Sequence, residues 1–212
     1  MVATPIPKGS VVGESKDLHF NVGAGDKSKA STALNVPKDT QWGTSKTVVA
    51  SPYAGGKEAL ITFVSDGDGI RANFDDGKPF SCRLVSIDAP EVAHAARVQN
   101  GKAIPASPDQ AYGPEAKNYL AGLIENKRVN IVVTQSEENS KQGRNFCQVN
   151  FKGEDVNLKM VEAGFAHVYG KYIHPLLAER YNAAQIKAAK DRAGLWQQDD
   201  PLSPEIFRNL YR

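Results

Sequence analysis

The chain has 212 residues, 41% of them apolar and 24% charged, with a formal net charge of +2. That balance suits a folded domain rather than a disordered one, and no apolar run approaches the roughly 20 residues that span a bilayer, so no membrane-spanning segment is expected. Bulk charge does not point to a nucleic-acid partner either; such a partner would need a local site.

Residues 1–57 are rich in Gly, Ser, Thr, Lys and Pro and hold seven Lys against four Asp or Glu. They read as a largely irregular extension with one or two short strands. The glycines near lysines in "GAGDKSK" and "AGGKEA" lack the spacing of a phosphate-binding loop. The opening "MVATPIPKGSVVGESK" has neither the basic start nor the apolar run of a secretory signal, and no arginine precedes Arg71, against a transit peptide. The compartment stays open.

Short β-like runs follow: "ALITFV" (59–64), "IRANF" (70–74) and "FSCRLVSI" (80–87), joined by "SDGDG" and "DDGK". "YGPEAKNYLAGLIENK" predicts an amphipathic helix, with Ala116, Tyr119, Leu120, Leu123 and Ile124 on one face and Pro114 suited to its first turn. Two more strands, 128–135 and 144–151, flank the polar loop "SEENSKQG". Helices are predicted over 154–164, ended by Gly164, and over 175–194, where Leu177, Tyr181, Ala184 and Ala188 form the buried stripe. Five strands with a helix between the third and fourth give an α+β fold: a five-stranded OB-type β-barrel with three α-helices. The domain is expected over 58–198, with 199–212 as a C-terminal tail. Cys82 and Cys147 are too few for a disulfide scaffold or a Cys-rich zinc site, and the plainer reading is two buried thiols. Their neighbourhoods leave a single bridge open, since strands three and five are neighbours in such a barrel.

Arg83 stands among Cys82, Leu84, Val85 and Ile87. A buried arginine there costs several kcal/mol unless an anion meets it. Asp66, Asp68 and Asp88 could supply a purely structural ion pair. Antiparallel pairing, however, places Asp66, Asp68 and Asp88 at one end of the sheet, as oxygen ligands of the kind calcium takes. Glu91, just past Pro90, is placed to accept a proton from water there, and Arg144 opens the strand expected beside the third. Two guanidinium forks, a metal and a carboxylate base suit in-line attack by water on a phosphodiester.

Here the chain resembles the staphylococcal nuclease-like (thermonuclease) family over about 59–197. The matching stretches, in order, are "DGDG" (66–69) for the family's Asp-Gly-Asp-Thr, "RLVSIDAPE" (83–91), "YGPEAKNYL" (112–120), "GR" (143–144), "DVNLKMVEAGFAHVY" (155–169) and "AGLW" (193–196). The resemblance implies that Arg83, Glu91 and Arg144 are catalytic, Glu91 as general base and the arginines gripping the phosphate. It implies Ca²⁺ held by Asp68, Asp88 and the backbone carbonyl of Ala89, with Asp66 in the outer shell. It further implies cleavage of DNA and/or RNA with low sequence specificity, leaving 3′-phosphate ends; a monomer is expected, though the sequence does not give the oligomeric state. The alternative is a nucleic-acid-binding module of the same fold weakened in catalysis; a protein-interaction scaffold is a third reading.

Three departures stand out. Gly69 replaces the usual Thr, deleting a hydroxyl near the metal. Gln142, beside Lys141, replaces a Tyr that contacts the nucleotide phosphate; both residues are expected to bind substrate. The segment 92–111 is longer than usual, reads as a solvated insertion, and carries His94, Arg97 and Lys102. The four histidines show no zinc spacing. Tyr172 is expected near the cleft, able to stack on a base; Tyr169 is expected in the core.

Overall fold

The computed structural model describes residues 52–53, 55–99, 101–139 and 144–211. Five strands build the core. Strand β1 (Lys57–Val64) turns Ala59, Ile61 and Val64 inward and pairs antiparallel with β2 (Gly69–Phe74), which pairs in turn with β3 (Pro79–Leu84). After α1 (Gly113–Ile124), strand β4 (Arg128–Gln135) pairs with both β1 and β5 (Asn145–Phe151). A parallel pairing of β3 with β5, Leu84 opposite Cys147, closes the barrel as predicted. Closure leaves neither β1 nor β3 as an open edge.

The three predicted helices form. Helix α1 buries Ala116, Leu120 and Ile124; α2 (Val156–Glu162) is capped by the Asp155 carboxylate, which accepts from Leu158 N at 2.9 Å; α3 (Pro175–Lys190) buries Leu177, Tyr181 and Ala188. A fourth helix, α4 (Pro204–Leu210), lies in the segment read as tail. Its start follows ordinary capping chemistry, with Ser203 Oγ accepting from Ile206 N and Pro204 in the first turn. Among the described residues no helix is long and apolar enough to cross a membrane.

Three expectations change in detail. The strand expected over 80–87 ends at Leu84, because Ser86 adopts a left-handed backbone (φ 71°) that turns the chain before Ile87–Asp88 pairs with His167–Val168. The insertion forms a small hairpin, Arg97–Gln99 against Lys102–Ile104. Cys82 and Cys147 are joined as a disulfide, not two thiols, because the β3–β5 register brings their Cα atoms to 6.0 Å.

Candidate active site

The site lies where the β1–β2 turn meets the end of β3. Ser65 N donates to Gly69 O at 2.9 Å, and Asp66 Oδ1 accepts from Asp68 N at 3.1 Å, so the turn folds on its own carboxylate. Asp68 is 1% exposed. Its Oδ2 accepts from Ala89 N at 3.1 Å, binding the turn to the segment that carries Asp88 and Glu91. The backbone of Ala89 is thus drawn against the Asp68 carboxylate.

Gly69 is explained by space. A Cβ at this position would fall 2.3 Å from Ser65 Oγ and 2.7 Å from Asp66 Oδ1. Ser65 Oγ instead donates to Asp66 Oδ2 at 3.3 Å, so a hydroxyl still borders this carboxylate, contributed by the other end of the turn. Gly113, within the "YGPEAKNYL" match, has a comparable reason: a Cβ there would meet the Glu91 carbonyl oxygen at 2.1 Å. The start of α1 can therefore press against the Glu91 turn.

Arg83 reaches into this cluster with its side chain 19% exposed: Nε is 3.0 Å from Asp68 Oδ1, Nη1 3.7 Å from Asp88 Oδ1 and Nη2 3.9 Å from Glu91 Oε1. Burial alone would lower its pKa, but Asp68, Asp66, Glu91 and Asp88 outweigh that and raise it. Burial likewise pushes the Asp68 carboxyl well above the usual range, against the pull of Arg83, with Asp66, Asp88 and Glu91 adding to the rise. Arg144 is a different kind of arginine. Desolvation and then the Arg83 guanidinium press its pKa down, and among the described residues no carboxylate pairs with it. It stays cationic, since guanidinium pKa values exceed 12.

A third arginine enters from α4. Arg208 forks onto Asp88, Nη1 to Oδ1 at 2.9 Å and Nη2 to Oδ2 at 3.0 Å, and Nη1 also donates to Glu91 Oε1 at 2.6 Å. Burial opposes its charge, yet Asp88 and Glu91 raise its pKa. Gln110, at the base of the insertion, is missing from the sequence reading as well. It is 5% exposed; its Oε1 accepts from Glu91 N at 3.2 Å and its Nε2 donates to Leu202 O at 2.6 Å.

A cleft of about 480 Å³ is lined by Tyr53, Val85, Phe146, Tyr172 and His174, among others, and by none of the three arginines. Phe146, on β5 just after Arg144, is buried and paired in register with Arg83. Tyr172 lines this cleft and packs its ring 5.1 Å from that of Phe146. Tyr169 is half-buried with its ring 5.5 Å from Tyr172, rather than in the core. Lys141 and Gln142 lie outside the described residues.

Residues 81–198 match the family model described as staphylococcal nuclease homologue, in line with the closed five-stranded barrel. The chain belongs to the staphylococcal nuclease homologue family. An uncharacterized endonuclease of Escherichia coli O157:H7 is 33% identical over 151 residues, covering 70% of this chain and 83% of that protein. Another of Haemophilus influenzae is 28% identical over 148 residues, 70% and 71% of the two chains. Endonuclease YhcR of Bacillus subtilis is 32% identical over 165 residues, 74% of this chain but 13% of that much longer protein. The part matching the staphylococcal nuclease homologue model ends at 198, before α4, so it does not include Arg208.

Proposed function

We propose that the protein is a calcium-dependent nuclease that hydrolyses phosphodiester bonds of DNA and/or RNA with low sequence specificity, leaving 3′-phosphate ends. The observation that carries this reading is the pairing of two arginines of opposite character: Arg83, held by Asp68, Asp88 and Glu91, and Arg144, with no carboxylate partner among the described residues. A structural ion-pair network explains Arg83 alone; Arg144 is exposed, within charge range of Arg83 and bridged to no carboxylate among the described residues, and so is open to a phosphate. A phosphate between them accounts for both.

The donor set suits a hard cation. Asp68 Oδ1 is buried and takes no hydrogen bond, Arg83 Nε lying 3.0 Å away but off the bonding direction. Asp68, Asp88 and the Ala89 carbonyl would hold the ion with water completing the shell, and Asp66 would lie outside it. Bound calcium supplies positive charge to the phosphate and makes nearby water easier to deprotonate. Glu91 takes the proton of the attacking water, whose oxygen bonds to phosphorus as the bond to the 5′ oxygen breaks. Arg83 and Arg144 offset the charge that grows on the equatorial oxygens. Tyr172 is proposed to stack on a base, and Lys141 and Gln142 as further substrate contacts.

The rival is a module of the same fold that binds nucleic acid without cutting it; the Arg208 fork across Asp88 and Glu91 is the observation in its favour. End-group analysis of DNA and RNA incubated with the protein and millimolar Ca²⁺ separates them. New 3′-phosphate and 5′-hydroxyl ends support the proposal; binding with no new ends supports the rival.

A further inference from the structure

We infer that Arg208 is a built-in competitor for the cation: α4 latches its guanidinium onto the carboxylates that calcium needs, and metal binding requires its displacement. The inference rests on the calcium reading above. Arg208 occupies both oxygens of Asp88, at 2.9 and 3.0 Å, and one oxygen of Glu91. Each Asp88 oxygen keeps a second lone pair, but a calcium ion at about 2.3–2.6 Å from it would lie within a few ångströms of the Arg208 guanidinium and be repelled by its charge. The fork supplies the positive charge a cation would otherwise bring.

The element delivering Arg208 is built to let go. Helix α4 has seven residues and buries only Pro204 and Phe207, while Ile206 and Leu210 are 52% and 65% exposed. So short a helix has little stability of its own and depends on its contacts with the domain, among them buried Phe207 and the ion pairs of Arg208 to Asp88 and Glu91. Its attachment is also wired to the base. Gln110 holds Glu91 N through Oε1 and Leu202 O through Nε2, joining the Glu91 turn to the chain that leads into α4. Seating of α4 and placement of Glu91 are therefore linked through two separate contacts.

The experiment is calorimetric titration of Ca²⁺, without nucleic acid, into the full chain, the Arg208→Gln variant and the Phe207→Ala variant, with hydrogen exchange of residues 203–211 followed in parallel. Phe207→Ala leaves every charge in place and loosens only the seat of α4. Arg208→Lys serves if Arg208→Gln fails to fold, since one ammonium cannot fork both oxygens. The expected result is about tenfold tighter calcium binding in both the Arg208 and the Phe207 variants, a usual size for coupled equilibria. Exchange in α4 of the unaltered chain should rise as calcium is added. Tighter binding in Arg208→Gln alone, with α4 exchange unmoved, would reduce Arg208 to a local charge and overturn the latch. Equal or weaker binding in the variants would overturn the inference while leaving the calcium reading intact. No calcium binding by any of the three would overturn that reading, and the inference with it.

Discussion

Replacing Arg83 by Ala separates the structural work of this residue from its chemistry. The arginine lies 3.0 Å from a carboxylate that is 1% exposed, and its loss leaves that carboxylate facing Asp66, Asp88 and Glu91, with Arg144 acting on it only through longer-range charge and Arg208 bound to Asp88 and Glu91. At an effective dielectric of about 20, the Arg83–Asp68 attraction is on the order of 5 kcal/mol before the guanidinium's own desolvation is subtracted. The loss is capped, because an unpaired Asp68 takes up a proton. From a reference value of 3.8, protonation at pH 7 costs about 4 kcal/mol, at about 1.4 kcal/mol per pH unit. The expected destabilisation is therefore about 3 to 4 kcal/mol at pH 7.

The pH dependence has a definite sign. A carboxyl whose folded pKa lies above its unfolded value weakens the fold at pH above both, and that penalty fades as the pH falls toward the unfolded value. The cost of Arg83→Ala should thus shrink between pH 7 and pH 5. Urea midpoints of the wild type, Arg83→Ala and Arg83→Ala/Asp68→Asn, in chelator at both pH values, measure it, and the double variant should recover most of the loss at pH 7. A single-variant cost below about 1 kcal/mol would refute the view that Arg83 compensates buried charge, since removing one partner of a buried pair ordinarily costs 3–5 kcal/mol.

Reduction of the Cys82–Cys147 bond, which spans 65 residues, should cost about 4 kcal/mol if it acts by restricting the unfolded chain, read as a lower urea midpoint in reductant. Burial, acting against the nearby Asp88 charge, holds the His167 imidazole below its usual pKa, with its ring 5.0 Å from Trp196 and Nε2 without a hydrogen bond. As pH falls through 6.5 the unfolded chain takes the proton first, so stability should drop below that pH in the wild type and fall less steeply in His167→Gln. Gly69→Thr should cost about 1–3 kcal/mol through overpacking against Ser65 and Asp66. Ser65→Gly in the same chain should return most of that, as thermal melts would show.

Much of the site was legible because each part broke a local rule. Arg83 stood out among apolar neighbours, and the Asp66–Asp68 turn and Asp88 fell at one end of a three-strand meander. Arg208 could not be found by that logic. It is a surface-type arginine in a seven-residue helix beyond the end of the family similarity, and its role depends on where α4 packs. "SPE" at 203–205 was the available signal for a helix start, a Ser cap followed by Pro and Glu in the first turn. Gln110 was hidden in an insertion read as solvated, though its burial and its two side-chain partners fasten the insertion's base to the Glu91 turn. Gly69 looked like a deleted hydroxyl because spacing along the chain does not show that Ser65 fills the same space. The Cys82–Cys147 pairing was legible from strand order alone, but whether two adjacent thiols join was not. The turn at Ser86 was hidden because the run from Phe80 to Ile87 stays β-like in composition while the backbone reverses within it.

The measurement that bears most directly on the account is cleavage of single-stranded DNA, duplex DNA and RNA by the wild type and by Glu91→Gln, each in millimolar Ca²⁺ and in chelator. The amide keeps the shape of the side chain and removes the base. Cleavage by the wild type in calcium, lost both in the variant and in chelator, is the predicted result. Cleavage by Glu91→Gln at the wild-type rate, or undiminished cleavage in chelator, would contradict it.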